Sequence, residues 1–468
     1  MERIRQYDLN AWRCRAQRRP LILRGARQVG KSHLVRSWGK ASFDSFAELN
    51  FERDPGLVEA FADNDPRVTV RRIEAASRQR LSVDGSTLLF LDEVQAAPAV
   101  LAKLRWFAEE LPQMPIVAAG SLLDFALESP KFSMPVGRVS FMHLEPMGFL
   151  EFLDAMGEGL LIKAFSEELT TQNLKLRKGN WQPLHQRLMD LFSQFVIVGG
   201  MPAAVDAYCR ERSLLSVSEI HGDLLAAFRS DFSKYAGQAH QSRLNKILSS
   251  VPHQLGNKFR YTRADPDDRS GPLKQALELL CLARVCHQVV ASAATSPPLG
   301  ANSNDKVFKV LLLDTGLVSS LVGLSLVGLS PGADLMLSHR GGLAEQVVGQ
   351  LLRLLPPAHE QPSLFYWQRQ SSGAEAELDY VIQNGPHLVP VEVKSGSTGT
   401  LRSLHLFMAE RNLPLAVRFN GSEPSLVQVD ATTVAGAARY QLLSLPLYAV
   451  ELLPALLNDS HFVAANRS

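Results

Sequence analysis

The chain has 468 residues, 46% of them hydrophobic and 21% charged, with 49 Lys and Arg against 47 Asp and Glu. That length exceeds what one hydrophobic core supports and sets an expectation of about three domains. The composition excludes a disordered or fibrous chain, and a formal charge of +2 excludes a globally basic nucleic-acid binder without speaking to local patches.

The first ten residues, MERIRQYDLN, carry charge where a signal peptide needs an apolar core. Between Asp8 and Asp44 there is no acidic residue, while Arg13, Arg15, Arg18, Arg19, Arg24, Arg27, Lys31, Arg36 and Lys40 all fall there. The Arg13–Arg19 cluster reads either as a solvated helix face or as a polyanion contact. The apolar run Leu21–Leu23 then meets Gly25-Ala26-Arg27-Gln28-Val29-Gly30-Lys31-Ser32, which spells G-x-x-x-x-G-K-S. A buried strand ending in a glycine-bracketed turn that opens a helix aims several backbone N–H groups at one point, where phosphates sit. In that reading Lys31 reaches the β- and γ-phosphates and the Ser32 hydroxyl ligates Mg2+, while Gly25 and Gly30 supply backbone freedom and clearance.

Downstream, Leu88–Leu91 is an apolar strand ending in Asp92-Glu93. An ATPase needs such a pair after its P-loop, Asp92 to hold hydrated Mg2+ and Glu93 to polarise the attacking water. A helix over Leu101–Leu111 and a strand over Ile116–Ala119 follow, the latter ending in Gly120-Ser121. Ser121 can hydrogen-bond the γ-phosphate or the lytic water, or simply cap the helix that begins at Leu122. The β–α–β order predicts a parallel α/β sheet over residues 1–150 with the nucleotide at its strand C-termini.

From 151 to 240 the pattern is helical, with Leu184–Val196 and Ala203–Tyr208 separated by Gly199-Gly200-Met201-Pro202. Residues 241–330 suggest helices from Leu244 to Leu255 and from Leu273 to Leu282, then strands Ala283–Ala291 and Val307–Leu313, the winged-helix order. Lys246, Lys258, Arg260, Arg263 and Arg269 could meet nucleic-acid phosphates there, diluted by Asp265, Asp267 and Asp268; a structural adaptor is the other reading. The uncharged stretch Thr315–Ala333, with its duplicated Leu-Val-Gly-Leu-Ser, is too polar for a membrane span and reads as a buried or loosely ordered helix. In the last unit, 335–450, a helix over Gly342–Leu355 carries Glu345, a strand over Leu378–Ile382 carries Asp379, and a strand over Leu388–Lys394 puts Glu392 and Lys394 on one face. Such carboxylates can grip Mg2+ while a lysine acts on the water attacking a phosphodiester; a surface strand with alternating charges is the other reading. Residues 451–468 read as a tail. Four cysteines, Cys14, Cys209, Cys281 and Cys286, lack C-x-x-C spacing and nearby histidine pairs, so reduced thiols in the cytoplasm are expected.

The P-loop, Gly25 to Ser32, resembles that of prokaryotic AAA-type ATPases, and further motifs arrive in the order of that group. They are Gly137-Arg138, Glu145-Pro146-Met147-Gly148-Phe149-Leu150-Glu151-Phe152, Gly199-Gly200-Met201-Pro202, Leu313-Asp314-Thr315-Gly316-Leu317, Tyr366-Trp367, Glu377-Leu378-Asp379 and Glu392-Val393-Lys394. The resemblance implies an AAA core, a helical lid, a winged-helix-like segment and a C-terminal α/β domain similar to restriction-endonuclease-like folds. The P-loop and the Asp92-Glu93 pair call for ATP and Mg2+ as cofactors; DNA or RNA and a second copy of the chain are candidate partners, and no membrane association is expected. Three functions follow as alternatives: a nucleotide-driven switch, an ATP-regulated nuclease, and a scaffold ATPase with a silent C-terminal domain. Arg138 is a candidate for transition-state charge, from the same subunit or a neighbour, or a strand-end arginine paired with an acid.

Overall fold

The computed structural model describes residues 2–121, 123–127, 135, 137–176, 181–235, 238–323, 341–369, 376–396 and 400–458. Five short strands form the first sheet: β1 (Leu21–Arg24), β2 (Ser45–Asn50), β3 (Thr87–Asp92), β4 (Ile116–Ala119) and β5 (Ser140–His143). Their order is β2-β3-β4-β1-β5 and every pairing is parallel. Parallel strands buried on both faces read as continuous apolar runs, which is why Thr87-Leu88-Leu89-Phe90-Leu91 is fully buried. Helices Lys31–Ser42, Pro66–Ser77 and Pro98–Glu110 cover the faces, packing Leu34, Val35 and Trp38 on one side and Val70, Ile73, Leu101 and Leu104 on the other. The loop between β1 and the helix Lys31–Ser42 lies at the C-terminal edge of this sheet, as the alternation of strands and helices predicts.

The middle of the chain is helical, with Trp181–Val198, Pro202–Glu211, Leu214–Tyr235 and Gln238–Ser250 in succession. Of the uncharged stretch from Thr315, residues Thr315–Leu321 form a buried helix; the second copy of the duplication lies outside the described residues.

A second sheet has eight strands in the order β12-β13-β11-β10-β9-β8-β6-β7. They are β6 (Cys286–Ser292), β7 (Ser303–Leu312), β8 (Leu364–Gln368), β9 (Glu377–Asn384), β10 (His387–Val393), β11 (Leu415–Asn420), β12 (Ser425–Thr433) and β13 (Gly436–Pro446). The hairpin β6–β7, which the sequence places as a wing, does not stand free. β6 pairs parallel with β8, so the hairpin forms one edge of the sheet that carries β9 and β10. The apolar runs of β6 and β7 announce strands but not their neighbours, and the partner, β8, lies more than 50 residues downstream.

The motifs around Met147, Gly199-Gly200 and Asp314 meet in space. The N–H of Met147 donates to the Gly200 carbonyl at 2.7 Å, and the N–H of Gly200 donates to Asp314 Oδ2 at 2.6 Å. Gly199 adopts φ +73, and a Cβ on it would overlap the Asp314 carboxylate; a Cβ on Gly200 would overlap the Met147 carbonyl. Only glycine permits this approach. Asp314, fully buried, also accepts from the N–H groups of Gly316 and Leu317 and from Gln350 Nε2 at 3.0 Å.

Candidate functional site

Gln28 and Gly30 take left-handed conformations, φ 64 and φ 93, and this bends the Gly25–Ser32 loop back over the start of the helix it opens. Lys31 is buried, 6% exposed, and its ammonium donates to the carbonyls of Gly25 at 2.8 Å and Ala26 at 2.7 Å. A buried ammonium satisfied only by carbonyl dipoles is a poor home for a charge, and burial lowers the Lys31 pKa to about 8. Ser32 Oγ donates to Asp92 Oδ1 at 2.7 Å, tying the head of the helix to the end of β3. Asp92 Oδ2 accepts from Arg36 Nη2 at 2.9 Å and Asn50 Nδ2 at 3.3 Å, and burial, with Glu93 beside it, raises the Asp92 pKa.

Glu93 sits in a left-handed conformation, φ 52 and ψ 42, a strained backbone for a residue with a Cβ and one that concentrates at functional sites. Its carboxylate accepts from Gln95 Nε2 at 2.6 Å. Gln95 in turn packs on Gly120, at the end of β4, so Glu93 and the Gly120-Ser121 turn share one corner. The site residues from β1, β3 and β4 therefore converge. The hard oxygen donors Ser32 and Asp92, 2.7 Å apart at a helix N-terminus, suit Mg2+.

Arg138 is not drawn into this cluster: it is about half exposed and donates from Nε to Glu109 Oε1 at 2.7 Å. The arginine whose field reaches Lys31 is Arg284, which the sequence did not single out. Arg284, at φ 59 between the helix Ser270–Leu282 and β6, is 6% exposed. Its Nε donates to Asp124 Oδ2 at 2.5 Å and its Nη1 to His143 Nδ1 at 3.2 Å. His143 can accept because burial, then Arg284, hold its pKa near 3 and keep the ring neutral. Arg24, one residue before the loop, donates from Nε to Asp124 Oδ1 at 2.7 Å. Two guanidiniums, buried Arg284 and half-buried Arg24, thus share one carboxylate. They border a cavity of about 930 Å3 that is also lined by His287, Arg353 and Phe365. On the other flank, Arg27 of the loop pairs with buried Asp231 on Leu214–Tyr235. Arg3 bridges the Val29 carbonyl at 2.7 Å, the Glu145 carbonyl at 2.7 Å and the Glu151 carboxylate at 2.9 Å.

The C-terminal constellation also assembles, around a residue absent from the sequence expectation. Glu345 Oε2, Glu377 Oε1 and Asp379 Oδ1 lie 3.0, 2.7 and 3.8 Å from the ammonium of Lys309 on β7. Asp379 Oδ2 accepts the N–H of Val393 at 2.7 Å, and Lys394 Nζ donates to Glu392 Oε1 at 2.5 Å. Burial and the nearby Asp379 raise Glu345 to about 8 and Glu392 to about 7. Among the described residues, no group of three or more acidic, His or Cys side chains is arranged to hold a metal ion. Glu377 was legible, two residues before Asp379 on the same strand face; Lys309 carried no signal beyond a charge in an apolar strand. Elsewhere, Lys246 pairs with Asp265, so one of the expected phosphate-binding charges is already matched within the fold, and Arg243, outside that expectation, pairs with Asp268. Among the described residues no helix is long and apolar enough to cross a membrane.

Residues 17–153 match the family model described as an AAA domain. Residues 189–327 and 340–440 match two domains of unknown function, DUF8612 and DUF4143. No protein of curated function matches the chain. Similar solved structures include the Walker-type ATPase PABY2304 of Pyrococcus abyssi, 14% identical over 69% of this chain and 95% of that one, with a TM-score of 0.43. The Aeropyrum pernix ORC1 protein, solved in complex with DNA, is 13% identical over 69% of this chain and 93% of that one, with a TM-score of 0.27. AMPPCP-bound DnaA from Aquifex aeolicus is 14% identical over 57% of this chain and 80% of that one, with a TM-score of 0.22.

Proposed function

We propose that the chain is an Mg2+-dependent ATPase whose nucleotide state is passed to the helical region and to the eight-stranded sheet. The observation that carries this reading is the 2.7 Å hydrogen bond from Ser32 to Asp92, which sets the carboxylate of β3 against the hydroxyl that follows the P-loop lysine. Lys31 leaves its two loop carbonyls for the β- and γ-phosphates, and the loop N–H groups take the remaining oxygens. Ser32 and Asp92 would hold Mg2+, which when bound neutralises phosphate charge. Glu93, held by Gln95, accepts the proton of the attacking water, and Ser121 orients that water or the γ-phosphate. Catalysis here is positioning and charge neutralisation.

Two ion pairs support the coupling. Arg27 links the loop to Asp231 in the helical region, and Arg284 links Asp124, three residues beyond Ser121, to the first strand of the second sheet. Phosphates arriving at the loop compete for both guanidiniums, so each contact has two alternative arrangements. The test is ATP binding and turnover in the full-length protein. Lys31→Ala should weaken ATP binding, and Glu93→Gln should keep it while turnover falls by roughly 10²–10⁴-fold. Undiminished hydrolysis by Glu93→Gln would remove Glu93 as the base.

A further inference from the structure

The sequence expectation for the second sheet was a Mg2+ site on Glu345, Asp379 and Glu392, and the geometry does not fit one. Lys309 is 4% exposed at its side chain and rests over the ring of Tyr366 at 5.3 Å. An ammonium has three N–H donors. Here three carboxylates, those of Glu377, Glu345 and Asp379, surround it at 2.7, 3.0 and 3.8 Å. The other Asp379 oxygen is taken by the Val393 N–H, and one Glu392 oxygen by Lys394. Glu392 Oε2 is buried without a hydrogen-bond partner, but it stands on the carboxylate that Lys394, not Lys309, already holds. Mg2+ needs its oxygens at about 2.0–2.1 Å in a near-octahedral shell. An ion drawing on Glu345, Glu377 and Asp379 would stand against the ammonium they already hold, two like charges in a buried site.

We propose that Lys309 is a built-in cation that occupies the position of a divalent ion, and that the eight-stranded sheet is therefore a metal-independent module. The cation comes from β7, whereas its acids come from the helix Gly341–Leu352 and from β9. It thus fastens the edge hairpin to the sheet from inside, as a bridging metal would. The positive charge also reaches the carboxylates with no cofactor supply or chelation to regulate it. This inference is independent of the ATPase reading, because it concerns other residues and is tested without nucleotide.

The experiment uses the nucleotide-free full-length chain and Mn2+ alone as the probe, read by electron paramagnetic resonance of free Mn2+ and by thermal melting against EDTA. For the wild type we expect both the melting shift between Mn2+ and EDTA and the Mn2+ uptake to be no greater than those of Asp379→Asn, which leaves Ser32 and Asp92 intact. Lys309→Met should bind Mn2+, and the metal should raise its melting temperature by about 4 °C or more, as a ligand binding only the folded state does. The double variant Lys309→Met, Asp379→Asn should lose that gain. Wild-type Mn2+ binding that Asp379→Asn abolishes would overturn the proposal, as would a folded Lys309→Met protein that gains no metal site. The comparison of wild type with Asp379→Asn decides the matter even where Lys309→Met does not fold.

Discussion

Lys31 is held in the folded chain by two carbonyls and no carboxylate, and its behaviour with pH follows from that. Its pKa is lowered by burial from 10.5 to about 8, so the unfolded state binds more protons between those values and stability should rise with pH across that window. Phosphate binding needs the protonated form. ATP affinity should therefore be flat below about pH 8 and weaken above it, by up to tenfold per unit, while Lys31→Ala should be weak and pH-independent throughout. Titration with a fluorescent ATP analogue across this range checks it; an unchanged dissociation constant up to about pH 10 would mean that the lysine does not bear on the phosphates. The two arginines separate in the same way. Arg284 shares the buried carboxylate of Asp124 and its field reaches Lys31, whereas Arg138 is a half-exposed partner of Glu109. Arg284→Ala should lower turnover by about 10-fold or more, with Arg284→Lys recovering part of the loss, while Arg138→Ala in the isolated protomer should stay within about threefold of wild type. A large loss in Arg138→Ala at all protein concentrations would place it in the site after all. Loss only in assembled protein, restored by mixing with Lys31→Ala, would make it a residue supplied by a neighbour.

Among the elements, the junction of Met147, Gly199-Gly200 and Asp314-Thr315-Gly316 is the most tightly specified. Backbone groups from three distant segments meet there: the Met147 N–H donates to the Gly200 carbonyl, and the Asp314 carboxylate accepts from the N–H groups of Gly200 and Gly316. Gly200→Ala must push the Met147 carbonyl aside, and overpacking of this kind costs about 1–3 kcal/mol. Asp314→Ala leaves the N–H groups of Gly200 and Gly316 without their acceptor, at about 1–3 kcal/mol for each buried group. Urea unfolding should show both losses, and Asp314→Asn, which keeps one acceptor oxygen, should fall between Asp314→Ala and wild type. Equal stability of Gly200→Ala and wild type would mean that the strand-like approach at Met147 is loose in solution.

For the molecule as a whole, the two sheets are joined by charge as well as by packing. Glu145, just beyond β5, accepts from Arg353 Nε and Nη2 at 3.1 and 3.0 Å, and Glu451 near the C-terminus accepts the Leu150 N–H at 3.1 Å. Arg284 adds its contact with Asp124, which in the proposed cycle phosphate would displace. A non-hydrolysable ATP analogue should therefore change amide hydrogen exchange in β6, outside the parallel sheet, as well as in the P-loop. In Arg284→Ala the P-loop response should remain and the β6 response should vanish. An unchanged β6 response in that variant would place the coupling in the Glu145–Arg353 contact or in Arg27–Asp231 instead.

The P-loop, the carboxylate pair at the end of β3 and the parallel first sheet were determined by the sequence alone, because each depends on residues that are near neighbours along the chain. A glycine-bracketed turn after an apolar run has few geometries open to it, and an alternation of strand and helix allows few sheets. Two helices and two strands between Gln238 and Leu312 were also legible from their periodicity, though the helix expected from Leu244 begins at Gln238 and the short helix Tyr261–Ala264 gave no signal. Tertiary structure alone decided what those elements touch. The hairpin β6–β7 joins β8, Arg284 meets Asp124 across 160 positions, and Lys309 meets Glu345 across 36. Local pattern could name an acidic cluster on Glu345, Asp379 and Glu392 but not the charge that answers it. A strand's alternation says which face a side chain takes, and only the register with a distant partner says which charge stands opposite.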